Sequence, residues 1–256
     1  MQLKKIIVLA TLAISLGTFV STASANHSWG NYHWARTANP FTLELGDNVS
    51  NAWDNYLKSA SNDWSLSSVL DTVVKPGKTK ARACGATTGR VEVCSAKYGF
   101  NNWLGLAQIW VNGDHIVKGT TKVNDSYFNT STYNTPAWRN LVMCQEIGHN
   151  FGLNHQDEDF NNLNLGTCMD YASDPSTNQH PNAHDYEQLE AIYAHLDSVN
   201  TVFSSLSARN AGQDTDLDNP SAWGKAIKQD KQGRNSLYVR DLGNGEKVFT
   251  HVIWVE

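Results

Sequence analysis

The chain has 256 residues, a formal net charge of −5, and 10% aromatic residues, among them nine tryptophans. This aromatic content is typical of an ordered globular protein and excludes a disordered one. The negative charge argues against nucleic acid as a partner. The length suffices for one full core, with or without an appendage.

An export signal is predicted at residues 1–25. A lysine pair precedes an apolar run from Ile6 to Val20, and small residues then suit cleavage before Asn26. The run is shorter than the roughly 20 residues that span a bilayer. No later apolar stretch is long enough to span one. We therefore expect a secreted or periplasmic protein without stable membrane insertion.

Four cysteines in an exported chain indicate disulfides. Three pairings are possible, and we favour the near-neighbour one, in which Cys84 bonds Cys94 and Cys144 bonds Cys168. The second bond closes a loop of about 25 residues, worth about 3 kcal/mol of stability. A cysteine-liganded structural zinc is the alternative, but no C-x₂₋₄-C pair exists to support it.

The first half of the chain is predicted to be mostly β. Alternating apolar residues indicate strands, and apolar residues at helical spacing indicate helices. The predicted elements are a strand at Phe41–Leu45, a helix at 49–60, and strands at 64–74, 91–99, 104–111 and 115–124. Two early histidines, His27 and His33, are assigned no functional role.

The second half is predicted to open with a helix that has Thr135 as its N-cap and Pro136 at its first position. Asp185 with Gln188 resembles a capping box for a last helix. The apolar stripe of that helix consists of Tyr186, Leu189, Ile192, Tyr193 and Leu196. The acidic run at 156–159 is interpreted as solvated surface.

The C-terminal residues are predicted to form a hairpin. Residues 207–235 are polar and irregular, whereas SLYVRDL and KVFTHVIW flank the turn residues Gly243-Asn244-Gly245. An isolated two-stranded hairpin has only marginal stability in water. We therefore expect this one to pack on the main domain or on a partner.

The clearest indication of a chemical function is the stretch VMCQEIGHNFGLNH at 142–155. It matches the zinc-protease pattern H-E-x-x-H-x-x-G-x-x-H except that Gln145 replaces the first histidine. Residues four apart share a helical face, so Gln145 and His149 lie on one side. Gly152 can adopt the left-handed conformation that ends the helix, which would let His155 turn back to the same point.

These spacings predict a zinc site with Gln145, His149 and His155 as ligands. Glu146 lies one position round the helix, where it would contact the attacking water as general base. Taken singly, the two histidines would be interpreted as ordinary residues. Their spacing around a glycine, together with the neighbouring carboxylate, favours the metal.

On EIGHNFGLNH at 146–155 and CMDY at 168–171, the chain resembles the metzincins, zinc endopeptidases that include astacins, serralysins, matrixins and reprolysins. Met169 matches the methionine of the Met-turn, which lies beneath the metal. Tyr171 matches the tyrosine that is a further ligand in astacins and serralysins and stabilises the reaction intermediate there.

The resemblance implies an α+β fold. The expected catalytic domain, residues 26–206, has a mixed five-stranded twisted sheet, an active-site helix, a Met-turn and a C-terminal helix. Residues 207–256 form a C-terminal extension with the β-hairpin. An edge strand is expected to bind the peptide substrate in extended form. Strand-like sequence begins at Phe41, which leaves no room for an inhibitory N-terminal segment.

Two functions remain open. The first is a zinc endopeptidase in which Glu146 activates water. The second is a catalytically impaired protein of the same fold that binds a peptide or protein without cleaving it, because a ligand histidine is missing. His180 and His184 are interpreted as surface residues, the alternative being that one of them replaces that ligand. A carbohydrate-binding β-domain, suggested by the tryptophans, does not account for the motif.

Overall fold

The structure is a computed structural model that describes residues 26–203 and 217–256. The predicted signal segment lies outside the described residues, as do residues 204–216, which include the first part of the predicted connector. Within the described ranges, no helix has the length and apolar character that a membrane crossing requires.

Nine strands of the described residues form one mixed sheet at the centre of the fold. Its strands are β1 (His33–Trp34), β2 (Phe41–Asn48), β3 (Leu70–Pro76), β4 (Val91–Ala96), β5 (Trp103–Asn112), β6 (His115–Asn124), β7 (Lys225–Gln229), β8 (Asn235–Gly243) and β9 (Glu246–Trp254). The order across the sheet is β3-β2-β4-β6-β5-β9-β8-β7, and β1 pairs with β6. The pairs β2 to β3, β2 to β4 and β4 to β6 are parallel, whereas β5 is antiparallel to both neighbours.

Four α-helices lie among the described residues. They are α1 (Asp54–Trp64), α2 (Asp125–Phe128), α3 (Pro136–His149) and α4 (Ala183–Ile192). Helix α3 begins as predicted, because the Thr135 side chain accepts a hydrogen bond from the Trp138 backbone N–H and Pro136 follows the cap. It packs on α1 and on β5 and β6, so the face that carries the motif is held between helix and sheet.

The predicted boundary between α1 and β3 was wrong. The helix predicted at 49–60 lies at Asp54–Trp64, and the strand predicted at 64–74 begins only at Leu70. The buried side chains Leu57, Ala60, Ser61 and Trp64 continue the helical period past residue 60. Trp64 is fully buried, and its indole N–H donates to the Cys144 carbonyl at 3.1 Å. Its contact with α3 therefore keeps this residue in the helix.

The predicted start and end of α4 also require correction. The capping box begins at Asn182, whose side chain accepts from the Asp185 backbone N–H while Asp185 accepts in return from Asn182. The box predicted from Asp185 was thus placed three residues late. Leu196 is 58% exposed and lies beyond the helix, so it does not belong to the apolar stripe.

The α+β class is confirmed, but the predicted five-stranded sheet is too small. The C-terminal hairpin, β8 and β9, continues the main sheet rather than standing apart from it. Strand β9 pairs antiparallel with β5 along its length, from Trp103 opposite Trp254 to Asn112 opposite Glu246. Backbone hydrogen bonds along this ladder, together with the burial of Phe249 and Ile253, hold the hairpin in place.

Both disulfides of the near-neighbour pairing are present. Cys84 bonds Cys94, and Cys144 bonds Cys168. The second bond joins α3 to the segment that contains Met169. Two distant parts of the motif are thereby covalently linked.

Candidate metal centre

The motif residues converge at the C-terminal end of α3. Gln145 and His149 are fully buried on the same face. Gly152 has φ +96°, and a Cβ there would lie 2.5 Å from the Tyr32 carbonyl oxygen, so the turn requires glycine. After it, His155 Nε2 lies 2.8 Å from Gln145 Nε2 and 2.9 Å from His149 Nε2.

Two lone pairs face each other in this arrangement. His149 Nδ1 lies 2.8 Å from the Leu153 carbonyl, which only accepts, so Nδ1 carries the proton. His155 Nδ1 lies 2.6 Å from the Glu158 carboxylate and is protonated for the same reason. In the neutral rings both Nε2 atoms are then acceptors, 2.9 Å apart. A contact between two lone pairs is unfavourable, and a cation between the two nitrogens would relieve it.

The protonation states of the site suit a metal. Burial lowers the pKa of His155 and holds the pKa of His149 well below its usual range, so both imidazoles stay neutral. Neutral imidazole is the form that binds metal. The Gln145 amide faces His155 with Nε2, and a half-turn of the amide would point Oε1 there instead. Its Oε1 has no hydrogen-bond partner among the described residues.

Glu146 is a buried carboxylate without a protein partner. Burial raises its pKa well above the usual range, and neither oxygen has a hydrogen-bond partner among the described residues. The side chain passes against β5 at Gly105, where a Cβ would lie 2.8 Å from Oε1. A group with this cost of burial implies a ligand, a water or a cation that satisfies it.

The acidic run at 156–159 is not simply the solvated surface that was predicted, because Glu158 is only 6% exposed. Burial alone would raise its pKa, but His155 and the Lys228 ammonium, 2.8 Å away, outweigh that effect and lower it to about 2. Ser236 Oγ donates to its second oxygen at 3.1 Å. Glu158 thus orients His155, as carboxylates orient metal-ligating histidines elsewhere.

The predicted Met-turn lies against α3. A Cβ on Gly148 would be 2.7 Å from Met169 Sδ, which places the methionine directly beside the motif helix. The Tyr171 ring packs on His155 with centroids 4.6 Å apart. Its hydroxyl, however, donates to the Val252 carbonyl of β9 at 3.0 Å. Tyr171 is therefore near the site, but its hydroxyl bonds the C-terminal strand.

The two later histidines do not join the site. His180 Nδ1 lies 2.7 Å from Asp63, on a side chain that is 56% exposed. The His184 ring lies against His27, with centroids 4.9 Å apart. The alternative in which one of them replaces the missing ligand was wrong, because Pro181 and the Asn182 cap direct this segment into the start of α4.

His251, a residue of β9, lies at the site but was not among the residues predicted from the sequence. Its ring stacks on His149, with centroids 4.1 Å apart and planes 16° from parallel. Both of its ring nitrogens are buried without a hydrogen-bond partner among the described residues. The sequence KVFTHVIW did contain an indication of this position. Alternation along a strand puts His251 on the same face as Phe249 and Ile253. A histidine inside an apolar stripe indicates a polar neighbour.

The C-terminal strand also closes the site. β9 pairs with β5 on the side opposite β6, and Glu146 touches β5 at Gly105. The motif residues Gln145, Glu146, His149 and His155 are each at most 5% exposed. In this conformation a peptide can reach neither the β5 edge nor the motif.

No model of a known protein family matches the chain, and no curated protein matches it. Solved structures align with it at low similarity, among them the following two. The structure of myroilysin has a TM-score of 0.36 and 11% identity, covering 62% of this chain and 82% of its own. High choriolytic enzyme 1, a hatching enzyme zinc-protease from Oryzias latipes (Medaka fish), has a TM-score of 0.35 and 8% identity, covering 63% and 94%. Likeness at this level supports no conclusion about activity.

The chemistry of the site follows from its own residues. The donor set of two imidazoles and an amide oxygen suits a borderline-soft divalent ion such as zinc. A carboxylate of raised pKa beside it suits proton transfer. The residues therefore fit a catalytic zinc centre with one weak ligand.

Proposed function

We propose that this chain is an exported zinc-dependent endopeptidase whose site is closed by its own C-terminal strand. The observation that carries the proposal is the 2.9 Å separation between two neutral imidazole nitrogens, beside the unpartnered carboxylate of Glu146. A cation between the nitrogens removes the repulsion of the lone pairs. A bound water or substrate satisfies the carboxylate.

Zinc would be held by His149 Nε2, His155 Nε2 and Gln145 Oε1. When bound, the metal supplies a Lewis acid that polarises the scissile carbonyl and acidifies the attacking water. Glutamine is a neutral and weaker donor than imidazole, so the affinity for zinc is lower than in a site with three histidines. Glu158 and Leu153 hold the two imidazoles in the tautomer that ligation needs.

Glu146 performs the proton transfers. Its carboxylate accepts a proton from the attacking water and then donates it to the leaving amide nitrogen, so it is regenerated in each cycle. A pKa raised by burial favours both steps, because the group is a stronger base at the start and a competent acid later. Tyr171 can assist the intermediate only after its hydroxyl leaves the Val252 carbonyl.

The substrate class is peptide in extended conformation, bound along β5. Strand β9 already pairs antiparallel with this edge of β5, in the way that an extended peptide would. This pairing supports the edge as a peptide-binding surface. Substrate and β9 compete for the same backbone groups. Cleavage therefore requires β9 to leave, and the closed form is inactive.

The test compares cleavage of an unfolded protein such as casein by four forms of the zinc-supplemented full chain. Thr250→Pro removes a backbone donor in the middle of β9 and weakens its pairing, whereas Thr250→Ala is the matched control. We expect Thr250→Pro to cleave at least tenfold faster than the wild type and Thr250→Ala to resemble the wild type. Adding Glu146→Gln to Thr250→Pro should abolish cleavage. Equal cleavage with and without Glu146 would exclude the enzyme.

The second candidate is a protein that binds peptide without cleaving it. Gln145 in place of a histidine and the occupied β5 edge both favour it. Under this hypothesis Thr250→Pro captures peptides on β5 but leaves them intact. Intact peptide bound to a zinc-loaded Thr250→Pro chain, detected by mass spectrometry, would replace the first proposal with this one.

A further inference from the structure

A second group of imidazoles surrounds one carboxylate oxygen, built from residues outside the motif. We call His33, His115, His195 and Asp197 the His33 cluster. Asp197 Oδ1 lies 3.3 Å from His33 Nε2, 3.3 Å from His115 Nε2 and 3.7 Å from His195 Nε2. His33 Nε2 and His195 Nε2 are 3.1 Å apart. The ligand atoms of His33, His115 and Asp197 thus lie within 4.8 Å of one another, and His195 Nε2 lies beside two of them.

The hydrogen bonds of His33 fix which nitrogen is free. Its Nδ1 lies 2.7 Å from the Asn31 carbonyl, which only accepts, so Nδ1 carries a proton. In the neutral ring Nε2 then presents a lone pair to the Asp197 oxygen. Two acceptors in contact require a cation, which is either a second proton on His33 or a metal ion. A carbonyl partner at the other ring nitrogen is the usual support of a metal-binding histidine.

The other oxygen of Asp197 is already neutralised. Arg36 donates to Oδ2 from its guanidinium at 2.9 Å and from its backbone N–H at 3.2 Å. One carboxylate charge is therefore shared between an arginine and three imidazoles. Protonating all three rings would leave an excess of positive charge in a small volume, whereas a single divalent ion needs all three rings neutral.

The spacing matches a tetrahedral ion. Zinc bonds of about 2.0–2.1 Å place neighbouring ligand atoms roughly 3.3 Å apart. The three distances from Asp197 Oδ1 to the imidazole nitrogens, together with the His33 to His195 distance, run from 3.1 to 3.7 Å. The cluster is also organised by the sheet, since His33 and His115 are register partners on β1 and β6. The Asp197 backbone N–H donates to the Arg36 carbonyl at 2.9 Å, which holds the third element in place.

An ion can reach the cluster from solvent. The side chains of His115 and His195 are 34% and 54% exposed, and His33 and His195 line a surface pocket. His33 and Asp197 lie beneath them, with side chains 6% and 9% exposed. The cluster therefore has two preorganised inner ligands and two adaptable outer ones.

We propose that the His33 cluster binds one zinc ion, or another divalent transition metal that prefers imidazole, as a structural site with four protein ligands. The ion joins β1, the start of β6 and the chain after α4. Four protein ligands leave no position for a water nucleophile, which distinguishes this site from the motif. The proposal is independent of the proposed protease function.

The test is a cobalt and zinc titration of the metal-free full chain. In His149→Gln/His155→Gln, which removes the motif ligands, we expect one equivalent of cobalt with the visible absorption of a tetrahedral nitrogen and oxygen site. Adding His115→Gln/His195→Gln, at the exposed members, should remove that equivalent. His180→Gln is the matched control, because His180 is also exposed and paired with a single carboxylate. It should change nothing.

Stability gives a second readout. Zinc at 100-fold excess over its dissociation constant should raise the melting temperature of His149→Gln/His155→Gln by about 5–10 °C. Magnesium should not, because it prefers oxygen ligands. In the otherwise wild-type chain, His115→Gln/His195→Gln should lower the zinc stoichiometry by one, even if the motif binds none. An unchanged stoichiometry, or an equal loss in His180→Gln, would overturn the proposal.

Discussion

The imidazole of His251, from the last strand, stacks on that of His149 with ring centroids 4.1 Å apart. Nearly parallel rings direct their nitrogens side by side rather than towards a shared point, whereas His149 and His155 meet at 89° with their Nε2 atoms 2.9 Å apart. We therefore interpret His251 as a residue that fills the cleft and not as a ligand. It comes from the strand that covers the β5 edge.

His251→Ala should leave zinc affinity within about threefold of the wild type and speed peptide cleavage, because it removes a ring that fills the cleft. It also removes two buried nitrogens without partners, which offsets part of the cost of the cavity. Zinc affinity is measured by competition with a chromophoric chelator and cleavage with casein.

Val248→Ala is the control for His251→Ala, since Val248 lies on the same strand but on its other face. A large loss of zinc in His251→Ala alone would identify His251 as a ligand.

Gln145→His should tighten zinc binding by tenfold or more, which corresponds to at least about 1.4 kcal/mol. Imidazole is a better donor than an amide oxygen, and residue 145 lies on the same helical face as His149. The same chelator competition gives the affinity, and casein assays in the Thr250→Pro chain give the rate. A large gain in cleavage would show that glutamine weakens the site. A loss of cleavage with tighter zinc would show that glutamine belongs to a working one.

The stability of the metal-free protein should depend on Glu158 at acid pH. The pKa of this carboxyl is lowered to about 2, so its contribution is fully present above the unfolded value near 4.5. The contribution is lost as the pH falls from about 4.5 towards 2. Urea unfolding should therefore show Glu158→Gln less stable than the wild type at pH 6, by up to about 3 kcal/mol, and less stable by only about 1 kcal/mol at pH 2.5.

Lys228→Met tests the cause of the Glu158 shift. Removing the ammonium 2.8 Å from Glu158 should raise the pKa of the carboxyl, and the loss of stability should then begin at a higher pH. Parallel pH curves for Lys228→Met and the wild type would contradict this assignment.

Removal of the Cys144–Cys168 bond should cost about 3 kcal/mol of unfolding free energy, from the loop that it closes. The double variant Cys144→Ala/Cys168→Ala, measured by urea unfolding, gives the value. Cys84→Ala/Cys94→Ala is the natural comparison, because its smaller loop does not include the motif helix. We expect only the first variant to weaken zinc binding, since only that bond joins α3 to the segment of Met169.

Local features of the sequence were sufficient for the motif helix. Thr135 and Pro136 set its start, and the i, i+4 spacing of Gln145 and His149 set their common face. Gly152 supplied the turn, since a Cβ there would meet the Tyr32 carbonyl. The resemblance of the motif to metzincins implied the class of the fold. The pairing of the cysteines could also be predicted, because short separations along the chain are a local property.

Boundaries and caps were predicted less well. Whether Trp64 ends a helix or begins a strand depends on its burial against α3, which its neighbours in sequence do not encode. The burial of Glu158 likewise depends on an ion pair with Lys228, about 70 residues further along the chain. Because the neighbouring sequence does not show this partner, the acidic run resembled ordinary surface.

By itself, the sequence determined the candidate ligands of the motif, because helical geometry converts their spacing into proximity. Only the tertiary structure decided that β9 covers β5, that His251 reaches His149, and that His33, His115 and Asp197 surround one point. These contacts join residues that are distant along the chain. Their proximity depends on the order in which strands enter the sheet, which is set by burial of the whole core and not by any local pattern.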